Sequence, residues 1–131
     1  MTEIQALLLI KSILESADIH GIENILAEDC EYMSTGRGII GRNRNESIEF
    51  LSSMTESIKA DNVPVTCKVM HITDVYEEDA LFHEGRHGLT VSYESGDNYV
   101  YMIFVDVNDE GLVDRIVSSQ ENYSRSEEHT S

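Results

Sequence analysis

Basic residues are scarce in this chain: 9 Lys and Arg stand against 25 Asp and Glu, a formal net charge of −16 over 131 residues. A nucleic-acid partner is therefore not expected, because such binding is built on neutralisation of phosphates by Lys and Arg. An anionic membrane surface is disfavoured on the same ground. Long apolar runs are missing as well. The longest, Ala6 to Ile10, has five residues, far short of the ~20 that span a bilayer. The opening Met1-Thr2-Glu3 lacks the basic region of a signal peptide, so a cytoplasmic address is expected. There is no Trp, and there are only one Pro and two Cys. In a reducing compartment Cys30 and Cys67 read as small buried thiols. A chain of this length buries about two-thirds of its unfolded surface and needs no disulfide or metal to hold a core.

What is present is a change of period along the chain. Thr2-Glu3-Ile4-Gln5 has capping-box spacing, and Ile4, Leu7, Leu8, Leu14 and Ala17 follow at helical intervals, with Ile10 and Ile13 widening the stripe. Asp18 is placed to cap a second, short helix with Ile22, Ile25 and Leu26 inward. Cys30 to Thr35 reads as a short strand, and Gly36, Gly38 and Gly41 mark a loop. Asn43, with Glu46 three residues on, opens a third helix carrying Ile48, Leu51, Met54, Thr55 and Ile58. Beyond Pro64 the period becomes two, predicting strands from Val65, from Leu81, over Asn98 to Val107, and from Leu112 to about Gln120. The turns between them fall at Glu77-Glu78-Asp79, Ser95-Gly96-Asp97 and Asn108-Asp109-Glu110-Gly111. Residues 1–121 are thus expected to form a single α+β domain, three helices packed on a curved antiparallel sheet, with a polar, frayed tail at 122–131. The strand from Asn98 is apolar on both faces, which predicts a homodimer through the outer face of the sheet.

The helix-helix opening that runs through Ala17-Asp18-Ile19-His20-Gly21 and Glu28-Asp29 into Tyr32, Gly41 before a further helix, and the closing Asn108-Asp109-Glu110-Gly111 turn before Arg115-Ile116 together resemble the nuclear transport factor 2-like superfamily. That group includes ketosteroid isomerase and the SnoaL-like polyketide cyclases. The resemblance implies a cone-shaped, cystatin-like fold with a cavity between sheet and helices, and little about activity, since function lives in the site and not in the fold. Aligned on ketosteroid isomerase, the general-base Asp falls on Ser34, the oxyanion-stabilising Tyr on Ile10 and the second oxyanion donor on Ile103. None of the three can take its role, which excludes isomerisation by that route. Ser34, Ser118 and Gln120 occupy positions that face the cavity in the family.

His83-Glu84-Gly85-Arg86-His87 matches the zinc-protease pattern H-E-x-x-H, which works only on a helix. Here two glycines and strand-forming flanks argue for β structure, on which His83 and His87 would stand ~13 Å apart along the chain, too far to share an ion. On strands, His71, His83 and His87 instead join Val65, Val69, Leu89 and Val91 on one apolar face. Such imidazoles serve as proton-transfer groups, as core histidines or as groups at the wet rim of the sheet. Tyr32, Tyr93, Tyr99 and Tyr101 add apolar area with hydroxyl tips. The calcium-loop-like Asp106 to Gly111 lacks a carboxylate at its twelfth position and reads as a hairpin turn. The expectation is a small, mostly apolar ligand in the cone, with no cofactor and no metal. Any lyase, isomerase or cyclase chemistry would fall to His87 or His71 with Tyr101. The other class of function is an interaction module whose acidic surface meets a basic protein.

Overall fold

The computed structural model describes residues 1–34, 36–62, 64–71, 86–93 and 99–119, with Tyr93, Tyr99, Val100 and Tyr101 described by their backbone only. Helix α1 spans Glu3–Ser16 and begins with the expected capping box. The Thr2 hydroxyl accepts the Gln5 N–H at 3.2 Å and the Gln5 side-chain oxygen accepts the Thr2 N–H at 2.9 Å. The helix ends where Ala17 turns left-handed, and it buries Ala6, Leu7, Ile10 and Leu14.

The expected second helix does not form. Gly21, at φ +88°, opens a single 3-10 turn, Ile22–Asn24, and strand β1 starts at Leu26 and runs to Ser34. The cause is a distant partner: Leu26 pairs with Val113, and the Val113 N–H donates to the Ile25 carbonyl at 2.8 Å. A nonlocal ladder thus takes residues whose spacing also suits a helix. The expected glycine loop likewise holds a short strand, β2 (Gly38–Gly41), antiparallel to β1. Helix α2, Arg44–Asp61, starts at Asn43 as read from the sequence, the Asn43 side chain accepting the Glu46 N–H at 2.9 Å. Among the described residues there are two α-helices, not three.

The meander follows as β3 (Val65–His71), β4 (His87–Tyr93), β5 (Tyr99–Val107) and β6 (Val113–Ser119). The six strands among the described residues form one sheet in the order β2-β1-β6-β5-β4-β3. Its pairs are antiparallel except β1 with β6, which run parallel, so the sheet is mixed and not purely antiparallel. Cys67, Leu89, Val91, Ile103 and Val105 are buried with α1 and α2 in one core, which bears out the odd-numbered apolar face of the meander. The turns expected at 77–79 and 95–97 and the tail at 122–131 lie outside the described residues.

Apolar packing and three hydrogen bonds set how the layers sit. Leu7, Ile10 and Leu14 are fully buried against the sheet, each contributing about 1.5–3 kcal/mol of apolar burial. At one end of α1 the Glu3 carboxylate accepts the His87 N–H at 2.8 Å, and at the other Glu15 accepts the Cys67 N–H at 3.1 Å. On α2 the buried Ser47 hydroxyl donates to the Cys30 carbonyl at 2.9 Å.

On the outer face Met102, Phe104 and Val117 are 3%, 1% and 5% exposed within a single chain. The Arg86 guanidinium lies over the Phe104 ring at 5.6 Å. At these positions the apolar residues that prompted the expectation of a dimer are already covered by the chain itself. Gly88 sits beneath them: a Cβ there would lie 2.7 Å from the Met102 sulfur and 2.8 Å from the Phe104 ring. Replacing Gly88 by Ala is expected to lower stability by about 1–3 kcal/mol, the usual penalty of overpacking, read as a reduced urea midpoint. Glu15 generates a second expectation. Its carboxyl is held below the usual range by the hydrogen bond from Lys11 and then by the Cys67 N–H. The stabilisation it brings is therefore present at neutral pH and lost as pH falls through the lowered folded value. Glu15→Gln should flatten that acid limb of stability against pH.

Candidate functional site

The register draws one line across the concave face. Ser34 pairs with Ser118, Ser118 with Ile103, Ile103 with Leu89 and Leu89 with Val69. Leu89 and Ile103 are fully buried there, while Ser34 and Ser118 are half-buried. Ile10 of α1 joins Ile103 in the same core, and Ser34 lies two strands from Ile103 on the same line. The three positions aligned with catalytic groups of ketosteroid isomerase thus carry two aliphatic side chains and a hydroxyl. Tyr32 is fully buried two residues along β1 from Ser34, on the same face, its ring 4.6 Å from Phe50 and its hydroxyl 3.5 Å from the Met54 sulfur.

Tyr101 pairs with Val91, and Tyr99 with Tyr93. His71 pairs with His87 four residues further along β4 from Val91, so ~13 Å of strand separates the histidine pair from Tyr101. The structure brings His71 and His87 together and leaves Tyr101 apart from them. His83 and Gln120, and with them the first half of the H-E-x-x-H pattern, lie outside the described residues. His87 itself opens β4 and is not helical.

The histidines occupy the rim, beside the start of α1. His71 is exposed and the His87 side chain is 31% exposed. Glu3 gathers this corner: beyond its bond to the His87 N–H, its carboxylate lies 3.5 Å from His87 Nδ1 and 3.9 Å from Arg86 Nε. Arg86 in turn donates to the Val105 carbonyl at 2.7 Å and to Asp106 at 3.0 Å. Sequence reasoning passed over Glu3, Arg86 as an ion-pair centre and Asp106. Glu3 carried only the signal of a helix first turn, and its contact with residue 87 is set by tertiary packing.

The interior titratable groups are thiols. Burial pushes Cys30 and Cys67 up to about 12. They lie on β1 and β3, four strand spacings or ~19 Å apart across the sheet, and both are free. Asp114 on β6 is also raised, chiefly by burial and then by Asp106 and Asp29. Asp106 to Gly111 forms the expected hairpin turn, the Asn108 side chain accepting the N–H groups of Glu110 and Leu112 at 3.0 Å. Among the described residues no three His, Cys, Asp or Glu side chains are grouped to hold a metal ion. None of the helices described is long and apolar enough to cross a membrane.

No protein-family model and no curated protein matches the chain. Solved structures do. A nuclear transport factor 2-like protein of unknown function from Mesorhizobium loti superposes with a TM-score of 0.61 at 12% identity, over 93% of this chain and 96% of its own. A SnoaL-like protein from Agrobacterium tumefaciens gives 0.54 at 14%, over 90% and 99%. An LEH-like epoxide hydrolase from M. tuberculosis gives 0.55 at 17%, over 92% and 84%. The chain has the nuclear transport factor 2-like fold, as its opening segment and closing turn led one to expect.

The thiols yield a test. Unfolded, each ionises near pH ~8.5, whereas folded each stays protonated to about 12. Between those values the unfolded state gives up protons that the folded state keeps, so stability falls as pH rises above ~8.5. Both thiols are expected to resist a disulfide reagent at pH 8 in the native protein and to react quickly in urea.

Proposed function

We propose that this chain binds a small, mostly apolar molecule on the concave face of its sheet, as a binding protein and not as an acid–base enzyme. The observation that carries this reading is the line Ser34, Ser118, Ile103, Leu89 and Val69: aliphatic side chains, Ile103 and Leu89 fully buried under α1, that end in two half-buried hydroxyls. An apolar wall with a few fixed polar groups suits a ligand held by burial and oriented by one or two hydrogen bonds. Chemistry is the weaker half of the expectation. The positions that carry base and oxyanion donors in ketosteroid isomerase are Ser34, Ile10 and Ile103, and the rim histidines stand ~13 Å along the strands from Tyr101. The neighbours named as an epoxide hydrolase and as SnoaL-like support the fold, at identities too low to carry an activity.

The test is titration with Nile red, an uncharged apolar dye. Saturable binding of about one dye per chain is expected, weakened at least tenfold by Ser118→Phe, which fills the face, and unchanged by Thr90→Phe on the opposite face. Dye binding that is not saturable, or that ignores Ser118→Phe in a variant shown to fold, overturns the proposal. The net charge of −16 favours a second reading, recognition of a basic protein. That binding would fade steeply with salt and be indifferent to Ser118→Phe.

A further inference from the structure

The geometry points to a divalent transition-metal site at the rim of the sheet, formed by the imidazoles of His71 and His87. The two residues are direct cross-strand partners on β3 and β4, and their ring centres lie 5.0 Å apart. Metal–nitrogen bonds are about 2.0–2.1 Å, so two imidazoles on one tetrahedral ion have ring centres about 5.2 Å apart. The pair already stands at that spacing, on neighbouring hydrogen-bonded strands, so little ordering remains to oppose binding.

A second observation concerns the orientation of His87. Its Nδ1 faces the Glu3 carboxylate at 3.5 Å, and the same carboxylate holds the His87 backbone N–H at 2.8 Å. A carboxylate behind one ring nitrogen favours the tautomer with its proton there and leaves Nε2 as the donor, the arrangement that supports histidine ligands in metal proteins. The other charges at this corner are Asp106, 3.0 Å from Arg86, and Arg86 itself, which also lies 3.9 Å from Glu3, so two carboxylates share one guanidinium and the remaining negative charge favours a cation. Two protein donors leave the remaining positions of the ion to water. Imidazole donors select Zn²⁺, Ni²⁺ or Cu²⁺ over Mg²⁺ and Ca²⁺, which take oxygen ligands. The pair in question is the cross-strand one, not the His83 and His87 of the sequence pattern.

The experiment is calorimetric titration of the untagged protein with Zn²⁺ at pH 7.5, with Mg²⁺ in parallel and with NMR of the histidine rings. Zn²⁺ is expected to bind at one ion per chain and to shift the His71 and His87 ring resonances, while Mg²⁺ gives no heat. His71→Ala, at an exposed position, and His87→Ala should each weaken Zn²⁺ binding at least tenfold. Glu3→Gln should weaken it less while both rings still shift. The proposal is overturned if either alanine variant keeps the affinity of the parent, if Zn²⁺ moves other histidines only, or if Mg²⁺ binds equally well.

Discussion

The attachment of α1 to the meander is the constraint on which the rest of this structure depends. The helix lays Leu7, Ile10 and Leu14 on the sheet, and apolar burial of that kind is strong but non-directional. It fixes neither the axial position of the helix nor its angle. Two carboxylates do so, Glu3 on the His87 N–H and Glu15 on the Cys67 N–H. The second bond has another effect. β3 is an edge strand, and exposed edges invite pairing with other chains. Glu15 occupies one of the N–H groups that such pairing would use.

How much of this was legible depended on whether the cause was local. The capping box of α1 and the Asn43 cap of α2 are contacts between residues three apart, and both were readable. The odd-numbered apolar face of β3 and β4 was readable too, because burial of one face imposes period two. What failed was nonlocal. Ile22, Ile25 and Leu26 suit a short helix by spacing, and nothing near them announces Val113 as a strand partner 87 positions away. The parallel pairing of β1 with β6 was hidden for the same reason. At the site, alternation could place His71 and His87 on one face, but not opposite each other. Their distance from Tyr101 follows from register, which the hairpin's two ends set together.

The outer face of the sheet shows how one pattern can be satisfied in two ways. Met102 and Phe104 alternate with the core residues of β5, as apolar residues on a second face, and a partner chain is one way to bury them. Arg86 offers another. Its guanidinium caps Phe104 from the end of β4 and keeps its charge satisfied by Asp106 and the Val105 carbonyl. A long basic side chain covers apolar surface with its stem while its head stays wet. In a chain with only 9 basic residues, one of them is spent as a lid.

The placement of charge follows from the same dielectric argument. Inside the core, burial raises the cost of the ionised form, and the buried thiols respond by holding their protons to about 12. Glu3, Arg86, His87 and Asp106 avoid that cost by standing at the rim, where water reaches one side and a partner the other. A cone of this fold therefore has two chemically distinct zones. The concave wall is aliphatic, with two half-buried hydroxyls at one end. The rim carries the charged side chains and the imidazoles. Catalysis of the ketosteroid isomerase kind needs an ionisable group carried down into the wall and kept competent there by its neighbours. At Ile10, Ser34 and Ile103 this chain supplies none.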